Sequence, residues 1–234
     1  MIVALGVGRI VMKIAAVKAQ RWIAADVPSG SIDVPVVTNA AAAPDPYANV
    51  TPPTVGSCTA WPSGTNITVG SGTYCNIGNI NNQNVTFATG AVVVITGGLS
   101  TKGNSTLTGS GVTLYVTGGG SINANSTISI SAPSTGPYAG LAVWFGDNSA
   151  VTWDGGNSSS FKGAIYAPTA NVTYGGNAGS VSTCTRLIAG ALSLHGTSTV
   201  SFDDTGCPAV AGPVLTASGV TGSTTNTGAP MLVQ

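Results

Sequence analysis

The side chains that could carry chemistry are few. The chain has 234 residues, with seven acidic groups, all Asp, seven Lys and Arg together, one His and four Cys. Acid–base catalysis needs carboxylates whose surroundings drive their pKa values apart. Asp203 and Asp204 are the one adjacent pair, and like-charge repulsion can raise one pKa of such a pair. Neighbours on a strand point to opposite faces, so the pair reads as a solvated turn. Asp147 and Asp154 lie in Gly- and Asn-rich corners, where Asp bonds its own backbone. A calcium site is the rarer use of such residues. His195 precedes a Gly-Thr corner without an identifiable Cys or Ser partner, and reads as a surface His. Lys102, Lys162 and Arg186 belong to different strands, and the repeat does not bring them together. The expectation is no catalytic residue, no metal site and no cofactor.

The cysteines fall as two local pairs, Cys58 with Cys75 and Cys184 with Cys207. No C-x-x-C occurs, and one His cannot complete a usual zinc set. Two disulfides, 58–75 and 184–207, are the expected pairing, in an oxidising compartment. Four buried free thiols are the alternative.

Seven Asn-x-Ser/Thr triplets begin at Asn49, Asn66, Asn84, Asn104, Asn125, Asn157 and Asn171. They read as glycosylation acceptors or, more simply, as what corners and strands require. The Gly clusters at 97–98, 118–120, 155–156 and 175–176 lack a following Gly-Lys-Ser/Thr, so they are not phosphate loops. Aromatic residues crowd into 138–174. Trp144 and Phe145 are neighbours on one strand, so one faces inward and one out. Core packing is their commoner use. Tyr138, Trp144, Trp153 and Tyr174 are the candidates for a surface contact with sugar or protein.

The elements that must position these residues are written in the composition. Glu and Lys are the usual residues of solvated helix faces. Their scarcity, with 33 Gly and abundant Thr, Ser, Asn and Val, points to strands and tight corners. Charge is balanced at a formal net of zero. No basic stripe is available to neutralise phosphates, which argues against nucleic-acid binding.

Five apolar blocks recur, AVVVI from Ala91, VTLYV from Val112, LAVWF from Leu141, AIYAP from Ala164 and RLIAG from Arg186. A Gly- or Asn-marked corner follows each block, then a short second strand, a corner and a third. An earlier turn around Thr73–Cys75, Ile77–Ile80 and Val85–Phe87 fits the same scheme. Three strands per repeat of about 22 residues predicts an all-β chain folded as a right-handed parallel β-helix of about six coils. An antiparallel sandwich would show turn signals without the longer repeat.

The expected organisation follows. Residues 57–207 form the β-helix, with 132–138 bulging from one corner because two Pro interrupt the ladder. Residues 40–56 carry Pro44, Pro46, Pro52 and Pro53, and read as a linker or wrapped arm. Residues 1–39 are an arm, a leading helix or leading coils, with weak preference for coils. Residues 208–234 run along the rod and close in a short strand at 231–234. The apolar run 1–8 is too short to span a bilayer and lacks the order of a signal peptide. A leader is expected to have been removed, or the chain to be part of a longer one. No later stretch reads as transmembrane.

The run Asp45-Pro-Tyr-Ala48, the segment Gly72-Thr-Tyr-Cys75, the coil 111–117, the loop 131–140, the Gly163-Ala-Ile-Tyr-Ala-Pro168 motif and the closing Leu232-Val-Gln234 carry a resemblance. Residues 40–234 resemble the C-terminal region of Tad/Flp (tight adherence) pilus-assembly-type bacterial envelope proteins. Such proteins typically carry an N-terminal membrane helix, and this chain departs from them there. The resemblance implies an extracytoplasmic envelope protein without known catalytic residues.

The functional expectation is a non-enzymatic bacterial protein, extracellular or on the cell surface. Pilus association, an adhesin or a self-assembling filament subunit would each fit. The expected partners are further copies stacked head to tail, pilus or envelope proteins, or a glycan. The alternative is a carbohydrate-binding or polysaccharide-cleaving β-helix, which would need a lateral groove with clustered charges.

Overall fold

The computed structural model describes residues 45–155, 159–176, 179–183, 185–194 and 199–203, with the short strands Ile2–Ala4, Met12–Ile14, Val36–Val37 and Leu232–Val233. The described residues contain no helix, and parallel strands stack into a β-solenoid of about five turns, ~21 residues each.

Each turn supplies one strand to each of three faces. The first face stacks Gly72–Cys75, Val92–Thr96, Thr113–Thr117, Leu141–Phe145, the stretch 163–167 and the start of Thr185–Leu194. The second stacks Asn79–Asn81, Leu99–Lys102, Gly120–Ile122 and Val151–Gly155, continuing into 172–176. The third stacks Asn66–Val69, Asn84–Phe87, Thr106–Gly109, Thr127–Ser131 and 160–162. The four apolar blocks from Val112 on, and AVVVI before them, all fall on the first face.

Alternation explains why these short segments become strands. On the third face, Asn66-Ile-Thr-Val69 and Asn84-Val-Thr-Phe87 bury every second residue. The buried members join one column, in which Val69, Val93, Ile95, Leu107, Val112, Val116, Phe145 and Val151 have no exposed surface. A single turn cannot bury these side chains; stacking does, at roughly 1.5–3 kcal/mol for each large one.

Buried polar residues are hydrogen-bonded where they sit, Ser105 and Ser126 at corners of the column and Thr113 on the outward side of its first-face strand. Ser105 Oγ donates to the carbonyls of Ile80 (2.9 Å) and Lys102 (2.7 Å). Ser126 Oγ meets Thr101 Oγ1 at 2.9 Å, and Thr113 Oγ1 donates to the Leu141 carbonyl at 2.9 Å. These bonds satisfy groups that would otherwise be buried at a cost.

One corner needs glycine. Gly98 (φ +91°) lies beside Gly118 (φ +90°) of the next turn, and a Cβ on Gly98 would stand 2.9 Å from the Gly118 carbonyl oxygen. Both the left-handed backbone and the close approach exclude a side chain.

The outlying strands do not extend the solenoid ahead of its first turn. Ile2–Ala4 pairs antiparallel with Thr185–Leu194, the last strand of the first face, and Met12–Ile14 adds outside it. Leu232–Val233 is the expected closing strand, and it pairs with Val36–Val37.

Candidate functional site

Two surfaces of the rod are built from residues in register. The first is an apolar stripe on the outside of the first face. Thr73, Val94, Tyr115, Trp144, Tyr166 and Ile188 are partners in successive turns. Residues at this phase point away from the column, while their neighbours Phe145 and Ile95 point in. The aromatic rings meet edge to face, Tyr115–Trp144 and Trp144–Tyr166 both at 5.3 Å between centroids.

The stripe is covered by residues 45–56. Tyr47 lies 5.2 Å from the Tyr166 ring and is only 2% exposed. Its hydroxyl donates to the Gly140 carbonyl at 3.2 Å. Tyr166 donates its hydroxyl proton to Asp45 Oδ2 at 2.7 Å, while Asp45 Oδ1 accepts the Tyr47 amide at 2.9 Å. At the other end, the Gly56 amide donates to Thr73 Oγ1 at 2.8 Å. The segment therefore runs lengthwise down the rod as a strap, from Tyr166 back to Thr73. Burial raises the Tyr47 hydroxyl pKa to about 12, opposed by the Arg186 charge and aided by that of Asp45. Burial and the bond to Asp45 raise that of Tyr166 as well.

The strap changes the meaning of the expected aromatic contacts. Trp144 is the outward member of its pair with Phe145, yet it is 6% exposed because the strap and its ring neighbours enclose it. Trp153 belongs to the column, 4.9 Å from Phe161. Tyr138 is half-buried and packs against the stripe. Tyr174 is in register with Trp153, on the second face. Neither Trp144 nor Trp153 offers an open surface. Sequence pattern set Trp144 and Phe145 on opposite faces without saying which is outward; the cover comes from residues nearly a hundred positions earlier, which no local pattern connects to it.

The second surface is a groove of about 420 Å³ on the third face. Thr86, Thr108, Ser129 and Ser160 line it as partners in four successive turns. Thr89, Ser110, Ser131 and Lys162 stand along one side. Ser131 and Ser110 hydroxyls are 3.4 Å apart, as are those of Thr108 and Thr86. No carboxylate lines it. The sequence signal lies in the repeated Asn/Thr-x-Thr/Ser of this face, which by itself suits glycosylation acceptors or the corners and strands of the coil and does not show that the hydroxyls line one groove.

The remaining sequence candidates are dispersed. Cys58 and Cys75 form a disulfide, tying Cys58–Thr59 to the first turn. Cys184, Cys207, Asp204 and His195 lie outside the described residues, and Asp203 is placed only as the end of the strand Thr199–Asp203. Asp147 caps its corner, accepting the Gly118 amide at 2.6 Å and the Ser149 amide at 3.0 Å. Burial pushes its pKa up, but these bonds outweigh it and hold the carboxyl below the usual range. Asp154 is exposed on the second face. Lys102 ends a strand of the second face, Lys162 lies on the third and Arg186 on the first, so the three cations stay apart. Among the described residues no group of three or more His, Cys, Asp or Glu could hold a metal. No described helix is long and apolar enough to cross a membrane. Asn84 Nδ2 donates to Asn66 Oδ1 at 2.8 Å, so two of the Asn triplets begin an axial ladder.

Fold and surfaces together define a parallel β-solenoid, strapped along one face and grooved along another. Residues 29–205 match a domain family of unknown function, DUF7305, and the chain belongs to that family. No curated protein and no solved structure matches the chain.

Proposed function

We propose that this chain is a non-enzymatic surface module of the bacterial envelope, pilus- or envelope-associated, acting as a discrete adhesin-type rod. The observation that carries the reading is the treatment of the first face at its two ends. Open solenoid ends present unpaired strand edges that template stacking. Here Cys58–Thr59 covers the first edge and is held by the disulfide to Cys75. Ile2–Ala4 covers the last edge of that face, pairing antiparallel with residues 187–189, a sense different from that of the coils. The disulfide suits an oxidising compartment. The sequence resemblance to tight-adherence envelope proteins supports the same location.

A head-to-tail filament is the second reading. Asn66–Val69 favours it, since among the described strands it pairs on one side only. Electron microscopy and sedimentation of the purified chain at rising concentration, with and without reductant, separate the two. Discrete particles of monomer mass at all concentrations support the capped module. Regular fibres with a repeat near the rod length would overturn it and make the chain a filament subunit.

A further inference from the structure

The groove on the third face is not used by the end caps or by the strap. Its lining has three properties that bear on a ligand. Hydroxyls predominate: Thr86, Thr108, Ser129 and Ser160 form a row along the rod axis, with Ser110 and Ser131 beside it. Each hydroxyl can both donate and accept, so the row suits a partner whose own groups do both. The row is periodic, because successive turns are about 4.8 Å apart. A ligand that repeats along its length can make the same contact at each turn. Charge is confined to a single exposed cation, Lys162, which stands in register with Ser131 at one end of the groove.

We infer that this groove binds an extended acidic polysaccharide lying along the rod axis, its hydroxyls on the Thr86–Ser160 row and a carboxylate at Lys162. Nucleic acid fits less well, because one cation cannot follow a phosphate track. An apolar peptide fits less well, because the row presents hydroxyls to it. No carboxylate lines the groove, so the carboxylate pair of glycoside hydrolysis is absent from it and the inference is of a holding site. Individual contacts are weak and exposed; affinity accumulates along the polymer from turn to turn. The inference rests on the surface-module reading for access to such a polymer. Its test uses the purified chain, and so is independent of the oligomeric state that tests that reading.

The measurement is binding of the full chain to immobilised alginate at low ionic strength, with neutral dextran in parallel. Lys162→Gln is expected to weaken alginate binding about two- to fivefold, the range of an exposed ion pair. Thr108→Val with Ser129→Val is expected to weaken it about tenfold, from two lost hydrogen bonds. Lys102→Gln removes an exposed cation from the second face and is expected to leave binding unchanged. Circular dichroism and the thermal midpoint show that each variant is folded. Absence of alginate binding by the wild-type chain overturns the inference. So does equal binding to dextran, or equal loss in Lys102→Gln and Lys162→Gln. In each of those cases the groove is not an acidic-glycan site, whatever the chain's assembly state.

Discussion

Replacing Tyr166 by Phe tests whether the strap is a latched element. The ring is 4% exposed and keeps its contacts with Trp144 and Tyr47 when the hydroxyl is removed. What is lost is the 2.7 Å bond to the Asp45 carboxylate. A hydrogen bond to a charged group contributes about 1.5–3 kcal/mol. Asp45 is half-buried, so water can partly replace the lost donor, and the lower end applies: about 1.5 kcal/mol. The loss should be local. Hydrogen exchange read by mass spectrometry is therefore the better assay than a global melt. Tyr47 and Val50 amides are bonded within the strap, to Asp45 Oδ1 and to the Tyr47 carbonyl. Peptides covering 45–50 should exchange about tenfold faster in Tyr166→Phe, the equivalent of about 1.4 kcal/mol. Peptides covering Thr106–Gly109 and Thr113–Thr117 should be unchanged. Asp45→Ala should open the strap similarly, and the double variant should add little more. Unchanged strap exchange, or equal acceleration in the core strands, would refute the latch.

Three further outcomes follow from the same geometry. Replacing Cys58 and Cys75 together by Ala should lower the unfolding free energy by about 3 kcal/mol in urea titrations, because the bridge closes a loop with a sequence separation of 17. Leu107→Ala removes a side chain with no exposed surface from the middle of the column, and should cost about 2–5 kcal/mol by the same titration. Alkali should loosen the strap. The Tyr47 and Tyr166 hydroxyls have folded-state pKa values above the ordinary 10, so the stability they contribute is complete below pH 10. It should fade between pH 10 and 12 as Tyr47 ionises, seen as faster exchange at 45–50, and Tyr47→Phe should flatten that dependence.

Much of the solenoid was legible because its pattern is local. The blocks at Val112, Leu141, Ala164 and Arg186 begin at or within one residue of first-face strands. Gly-marked corners and alternating third-face segments filled the rest. The disulfide between Cys58 and Cys75 was legible for the same reason, since the pair brackets one compact stretch. The destination of residues 1–39 was not. Their apolar alternation suits a strand, but nothing in it names a partner, and Ile2–Ala4 pairs with residues 187–189.

The sequence by itself determined the repeat, the three-strand turn, the column of buried residues and the opposite facing of Trp144 and Phe145. These follow from the period of side-chain direction along a strand and from what glycine permits at corners. Tertiary structure alone decided that the outward aromatic stripe is closed by Tyr47, and that hydroxyls from four separate turns line one groove. Both depend on which turns are neighbours and on where a distant segment returns. Stacking converts residues about 21 positions apart into neighbours about 4.8 Å apart. That conversion of sequence distance into contact is the step that composition and local pattern do not contain.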